Sequence, residues 1–241
     1  MRIVNVGICG IGTVGSGVFN VLSRNLAEIN SRANCQINIS QIACRKDNPD
    51  IDATSTHVTR DIFDVAKNPD INIVIELIGG TTTAYELVMM ALKHGKHVVT
   101  ANKALIAEHG MSIFEEAESR GLLVCYEAAV AGGIPIIKSV REGLSANRIN
   151  WLAGIINGTT NFILSEMDAK GREFSDVLAE AQMKGYAEAD PTFDVEGIDA
   201  SHKLAILASI AFGMPLSLDG LYTDGITTVS YTHLRAHETT R

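Results

Sequence analysis

The chain opens on a short β-branched run, IVNVGI (Ile3 to Ile8), which passes directly into CGIGTVGSGVFNVLSR, where apolar residues recur at helical spacing. A strand, a glycine turn and a helix in immediate succession leave few folds open, and the glycines narrow them further. Gly10, Gly12 and Gly15 stand at GxGxxG spacing. In this setting Gly10 permits the tight turn, Gly12 lets a pyrophosphate approach the backbone, and Gly15 lets the helix pack closely on the strand. The helix N-terminus then offers free N–H groups and the positive end of its dipole to the phosphates. The alternative is a merely tight connection without a ligand.

Downstream, the alternation of strand and helix recurs. INISQIA (Ile37 to Ala43) and INIVIELIG (Ile71 to Gly79) read as strands, the second a nearly continuous apolar run as expected when both faces are buried. DIFDVAKN and AYELVMMALKHG read as helices, the latter with Gly95 at its C-terminal cap. KHVVTAN then reads as a strand, SIFEEAESRG as a helix closed by Gly121, and LLVCYEAAV as another strand. Strands alternating with helices imply parallel βαβ units with right-handed crossovers. Residues 1–134 are therefore expected to form an α/β domain, a Rossmann-like doubly wound parallel sheet.

The alternation weakens at GGIPIIKSVREGL. A helix over about 135–143, then INWLAGIINGTTNFILSEM, FSDVLAEAQMKG and DASHKLAILASIAFG, the last two helical by spacing, point to a second, mixed α+β domain over 135–228 that supplies the substrate side. The final YTHLRAHETTR carries two of seven histidines and no apolar periodicity, caps or strand signal. Residues 229–241 accordingly read as a foreign tail, and the second domain as incomplete.

Composition limits the function classes. At 241 residues, 46% hydrophobic and 20% charged, the chain can bury one large core or two modest ones. Its longest apolar run, LAILASIAF, is far short of the ~18–20 residues of a membrane span. No signal-peptide pattern opens it, so a cytoplasmic location is expected. The net charge of −8 opposes general binding to nucleic acid. Cys9, Cys35, Cys44 and Cys125 lack CxxC pairing, which supports neither a zinc site nor a disulfide framework. His109 and His202 show no Ser/His/Asp order, and Cys125 has no positive neighbour to favour a thiolate.

Two basic positions bear on the ligand. Arg45 and Lys46, after the second strand, suit the 2′-phosphate of NADP, where an acid would favour the ribose hydroxyl of NAD; the alternative is that they begin a solvated loop. Lys103, just beyond the strand in GKHVVTANKAL, lies where ligands sit in open α/β sheets. Further on, Glu188, Asp190, Asp194, Glu196 and Asp199 crowd GYAEADPTFDVEGIDASHK, with Asp199 and Lys203 at the i, i+4 spacing that brings side chains together on a helix. These acids lack the EF-hand arrangement.

The segments GICGIGTVG, ELIGG, GKHVVTANKAL, EAAVAGGIPII, GIINGTTNFILSEM and GYAEADPTFDVEGIDASHKLAILA, in this order, resemble the homoserine dehydrogenase family. The resemblance implies reversible reduction of L-aspartate 4-semialdehyde to L-homoserine by NAD(P)H, in threonine and methionine biosynthesis. By resemblance Lys203 is the proton donor, oriented by Asp199, and Lys103 faces both substrate and nicotinamide. Glu188 takes the substrate ammonium, Gly185 contributes backbone, Asp199 contacts the polar end, and Asp194 matches a further family acid. Thr13, Val14 and Gly79 join the glycine turn, Arg45, Lys46 and Lys103 in the cofactor set. A sodium ion is implied on backbone carbonyls near Glu127, Val130, Gly132 and Ile134, although Gly132 and Gly133 read equally well as a turn between domains. A homodimer through the second domain is implied as well. The other readings are a different two-domain NAD(P)-dependent oxidoreductase on an amino-acid-derived substrate, or a cofactor-binding fragment without catalysis.

Overall fold

The computed structural model describes residues 2–230 and 234. By internal contacts these fall into two units, dividing between Gly143 and Leu144. The division comes later than the break expected at 134, because Glu127 accepts hydrogen bonds from the N–H groups of Ile137 and Lys138 (2.9 and 3.0 Å) and ties that segment to the first unit.

The first unit is built on six parallel strands: β1 (Ile3–Cys9), β2 (Gln36–Ala43), β3 (His57–Thr59), β4 (Ile73–Glu76), β5 (His97–Thr100) and β6 (Val124–Cys125). Their spatial order is β3-β2-β1-β4-β5-β6, so the chain reverses direction across the sheet between β1 and β4. This is the order of a dinucleotide-binding sheet, and the crevice beyond the carboxyl ends of β1 and β4 is its ligand position. The connecting helices are α1 (Thr13–Arg24), α2 (Leu26–Ala33), α3 (Ile62–Lys67), α4 (Thr82–Lys93) and α5 (Lys103–Ser119), followed by the short α6 (Ile136–Lys138).

Both faces of the sheet are buried, as the unbroken apolar strands require. Val6, Ile8 and Ile42 pack with Ile11 and Phe19 on the α1 side. Cys9, Ala43, Val74 and Val98 pack with Val65, Leu87, Val88 and Leu105 from α3, α4 and α5 on the other. Gly7 admits that second layer, since a Cβ there would lie 2.3 Å from Cγ1 of Val65. Burial and the charge of Glu76 push the Cys9 thiol far above its ordinary range, so it acts as a small core residue. Its Sγ donates to the carbonyl of Ile62 at 3.8 Å.

The described residues of the second unit carry four helices, α7 (Gly158–Lys170), α8 (Phe174–Met183), α9 (Thr192–Val195) and α10 (Ile198–Phe212), with no strand among them. Ile163, Met167, Val177, Ala181, Ala187 and Val195 form its core, and Ile226, Val229 and Leu234 pack against it. Most of the segment read as a foreign tail, 231–233 and 235–241, lies outside the described residues.

Candidate active site

The glycine turn of the first unit separates into three structural roles. Gly10 has φ of 97°, and a Cβ would meet the Leu77 carbonyl oxygen at 2.5 Å. A Cβ on Gly15 would stand 1.9 Å from the Gly10 oxygen, so α1 can begin this close to β1 only with glycine there. Gly12 is exposed and has no atom within 4 Å of an added Cβ, so open space adjoins the backbone at the mouth of α1. No side chain caps α1 at Gly12, and Thr13 and Val14 are exposed in its first turn. Such a turn fits a dinucleotide pyrophosphate, whose oxygens can accept the uncapped N–H groups.

Arg45 and Lys46 are exposed beyond β2. The adjacent Asp47 does not neutralise them by an ion pair with either; it pairs with Arg60 at 2.7 Å. Arg60 also donates to the Cys44 carbonyl at 3.1 Å, fixing the turn that presents the two basic side chains. Arg60 could not be singled out from sequence, because it lies beyond an edge strand, β3, with no apolar pattern to announce it.

Glu76 ends β4 in full burial. Its Oε1 accepts from the N–H groups of Ile78 and Gly79 (2.9 and 3.3 Å), and its Oε2 from the Thr100 hydroxyl at 2.5 Å. Thr100 Oγ1 in turn accepts from Asn102 N, and the Asn102 amide donates to the Gly80 carbonyl at 2.6 Å. The Asn102 side-chain Oδ1 caps α5 by accepting from Leu105 N. The Gly79–Gly80 turn and half-buried Lys103, the first residue of α5, are thereby fixed relative to each other.

Glu127, Val130, Gly132 and Ile134 lie on one turn after β6. The Glu127 carboxylate is committed to Ile137 and Lys138, leaving its backbone carbonyl for any other ligand. Ala131 and Gly132 both have positive φ, 58° and 55°. Among the described residues no group of three or more His, Cys, Asp or Glu side chains could hold a metal ion.

In the second unit a cavity of about 460 Å³ is lined by Asp194, Asp199 and Lys203 together with Asn157, Thr159, Phe162 and Tyr186. Lys203 Nζ donates to Asp199 Oδ2 and to the Ile156 carbonyl, both at 2.6 Å. An ammonium has three N–H groups, so one remains for a ligand oxygen. Asp199, in the first turn of α10, also gains from the positive end of that helix dipole. Asn157 Nδ2 donates to Asp194 Oδ1 at 2.7 Å and to Asp199 Oδ2 at 2.9 Å. Gly185 and Glu188 do not line the cavity; both are exposed, and the Glu188 carbonyl accepts from the Gln182 amide at 3.1 Å. Asp190 takes the Thr192 hydroxyl and N–H, which lowers its pKa, and Glu196 accepts from the Thr227 hydroxyl. Asp190 thus serves a local turn, and Glu196 ties the end of α9 to the segment at Thr227.

Sequence reasoning passed over Asn157, Thr159, Phe162 and Tyr186, although the signal was present: an asparagine directly before a helix, in INGTTNF.

Known proteins resemble this chain along nearly its whole length. The family description "Homoserine dehydrogenase, NAD binding domain" matches residues 10–127, and "Homoserine dehydrogenase" matches 135–240. The homoserine dehydrogenase of Pseudomonas aeruginosa is 69% identical over 226 residues, covering 94% of this chain and 52% of its own. The crystal structure of a homoserine dehydrogenase from Thiobacillus denitrificans superposes with a TM-score of 0.92 at 55% identity, over 99% of this chain and 56% of that one. A structural relative from Archaeoglobus fulgidus, 33% identical, reaches a TM-score of 0.85 over 98% of this chain and 77% of its own. A hyperthermophilic archaeal homoserine dehydrogenase solved in complex with NADPH, 26% identical, gives 0.80 over 95% and 75%. This chain spans about half the length of the curated relatives it matches. No described helix is long and apolar enough to cross a membrane.

Proposed function

The chain belongs to the homoserine dehydrogenase family, and on that premise we propose that it carries the NAD(P)-binding and substrate-binding parts of an enzyme that interconverts L-homoserine and L-aspartate 4-semialdehyde. The observation that carries the reading is Lys203, an ammonium with two N–H groups anchored and a third left at a cavity lined by acids. A nicotinamide cofactor, which the glycine turn of the first unit would hold, would supply or accept the hydride. As hydride reaches the aldehyde carbon, negative charge develops on oxygen, and the remaining Lys203 N–H stabilises and protonates it. Asp199 keeps that ammonium aimed through its 2.6 Å bond. In the oxidising direction the same lysine, as the neutral amine left by that transfer, receives the hydroxyl proton and returns to the ammonium.

Asp194 and Asp199 give the cavity the negative charge that an α-ammonium requires. Glu188 is kept as an outer acid for that ammonium, and Gly185 as a backbone contact beside Tyr186. Lys103 is assigned a cofactor contact and a second positive charge for the reaction. The pyrophosphate is assigned to Gly10, Gly12, Thr13, Val14 and Gly15, and the nicotinamide side to Gly79. NADP is preferred over NAD because Arg45 and Lys46 are exposed and Asp47 is engaged elsewhere.

The positive φ of Ala131, a conformation costly outside glycine, supports a monovalent cation, sodium, on this turn, since such strain persists where function holds it. Each carbonyl there has two lone pairs, so one already accepting an N–H can still face a cation. A homodimer through the second unit is supported by the exposure of Trp151 (75%), Ile155 (80%) and Met183 (83%), large apolar side chains that an interface would cover. The same reading places the enzyme in the cytoplasm.

The test is homoserine-dependent reduction of NADP, run beside NAD, in this chain and its Lys203→Ala variant. Loss of the general acid should lower kcat by about 10²–10⁴-fold. Undiminished turnover in the variant would sink the role given to Lys203, and turnover with NAD alone would overturn the use of Arg45 and Lys46. Turnover of another amino alcohol instead of homoserine would select the different-substrate oxidoreductase, and cofactor binding without any turnover the inactive fragment.

A further inference from the structure

Asn157 sits at the centre of the second-unit cavity without any role in the proposed proton transfer. It is buried, with a relative exposure of 8%, and all its polar capacity is directed. Its Oδ1 accepts from Thr160 N at 2.8 Å, capping α7, and from the Thr160 hydroxyl at 3.0 Å. Its Nδ2 donates to Asp194 and Asp199 at once. The amide orientation follows from chemistry: a backbone N–H can only donate and an ionised carboxylate can only accept, so oxygen must face Thr160 and nitrogen the two acids.

Two carboxylates within reach of one nitrogen repel each other, and a donor shared between them offsets that repulsion. Of the titratable groups, Lys203 on α10 and Tyr186 after α8 line the cavity with the two acids, His202 follows Asp199 by three residues on α10, and the first turn of α7 contributes none. Lys203 Nζ reaches Asp199 but is not bonded to Asp194. Asn157 donates to both acids.

We propose that Asn157 is a positioning residue that binds Asp194 and Asp199 as an ionised pair, so that Asp199 orients Lys203 while both acids face the substrate. The role in catalysis rests on the functional reading above; the electrostatic part does not. Because the asparagine joins this task to capping α7, one side chain sets both where the helix begins and where the acids point.

Substitutions can divide the two tasks. Asn157→Ser and Asn157→Asp both retain a side-chain oxygen suited to a helix N-cap. Each removes the amide donor, and the aspartate adds a third carboxylate. The measurement is carbon-13 NMR titration of the aspartate carboxyls in the ligand-free chain, which needs no turnover. Both Asp194 and Asp199 should titrate higher in Asn157→Ser and higher still in Asn157→Asp, by about one pH unit or more. In the active enzyme the acid limb of kcat against pH should move up in the same order, with cofactor affinity unchanged. Titrations that superpose on wild type in either folded variant would overturn the proposal. So would loss of folding in both, which would make the amide a support for the fold alone. Carboxyls that shift as expected in a chain that turns over no homoserine would count for the positioning role and against the functional reading.

Discussion

Gly12 and Gly15 lie in one turn, yet an added methyl group should harm them in different ways. At Gly12 it would meet no protein atom, and the backbone, with φ of −79° and ψ of −160°, suits any residue. Gly12→Ala should therefore melt like wild type while losing cofactor affinity by about tenfold or more, since the pyrophosphate needs that approach. At Gly15 the methyl would collide with the Gly10 carbonyl, which belongs to the backbone and cannot rotate aside. Gly15→Ala should cost about 1–3 kcal/mol in stability, typical of overpacking, in addition to affinity. Thermal melting beside calorimetric titration with NADPH separates the two, and equal melting temperatures for both variants would contradict the division. These glycines were readable in the sequence because the motif fixes their spacing. Asn157 was not: its partners lie 37 and 42 residues away, and only folding brings them together. Lys203 and Asp199 were readable because helical spacing alone makes them neighbours.

Among elements, α8 is tied by charge to the turn that joins it to α7. Glu180 accepts from Lys184 at 2.6 Å and from Arg172, and these bonds, Lys184 foremost, hold its carboxyl at about 2 rather than the ordinary 4.5. A carboxyl whose folded pKa is depressed contributes stability that is complete above its unfolded pKa and vanishes as pH falls through the folded one. The second unit should thus lose this contribution between about pH 4.5 and pH 2. Glu180→Gln should melt lower near neutrality and show a flatter decline across that window, as followed by circular dichroism; parallel curves would rule out the contribution. α8 was legible from its apolar spacing, as were β1, β2, β4 and β5. β3 was not, being three residues long, at the sheet edge and largely exposed. The start of α5 was also missed: the helix begins at Lys103 rather than in SIFEEAESRG, because Asn102 caps it through Leu105 N. In the second unit, residues 151–157 lack regular structure, so the apolar pattern in INWLAGIIN had no element to report.

For the molecule as a whole, the division at Gly143 assigns every proposed cofactor contact to one unit and the Lys203 cavity to the other. Residues 1–143 expressed alone should accordingly bind NADPH within about threefold of the whole chain's affinity, a difference of roughly 0.7 kcal/mol. Titration calorimetry decides this, and failure of the fragment to bind would mean that the second unit completes the nucleotide site. The α/β class was legible because each unit's periodicity is local, whereas the division itself depends on which carbonyls and carboxylates the connecting segment meets, as Glu127 shows. The bonds from Glu76 through Thr100 to Asn102 have a consequence for descent and engineering. They span two loops that are remote in sequence, and the carboxylate at their centre has no access to water. A chimera that imports either loop without all three residues would strand a buried charge, so homologues should exchange Glu76, Thr100 and Asn102 together or keep them together.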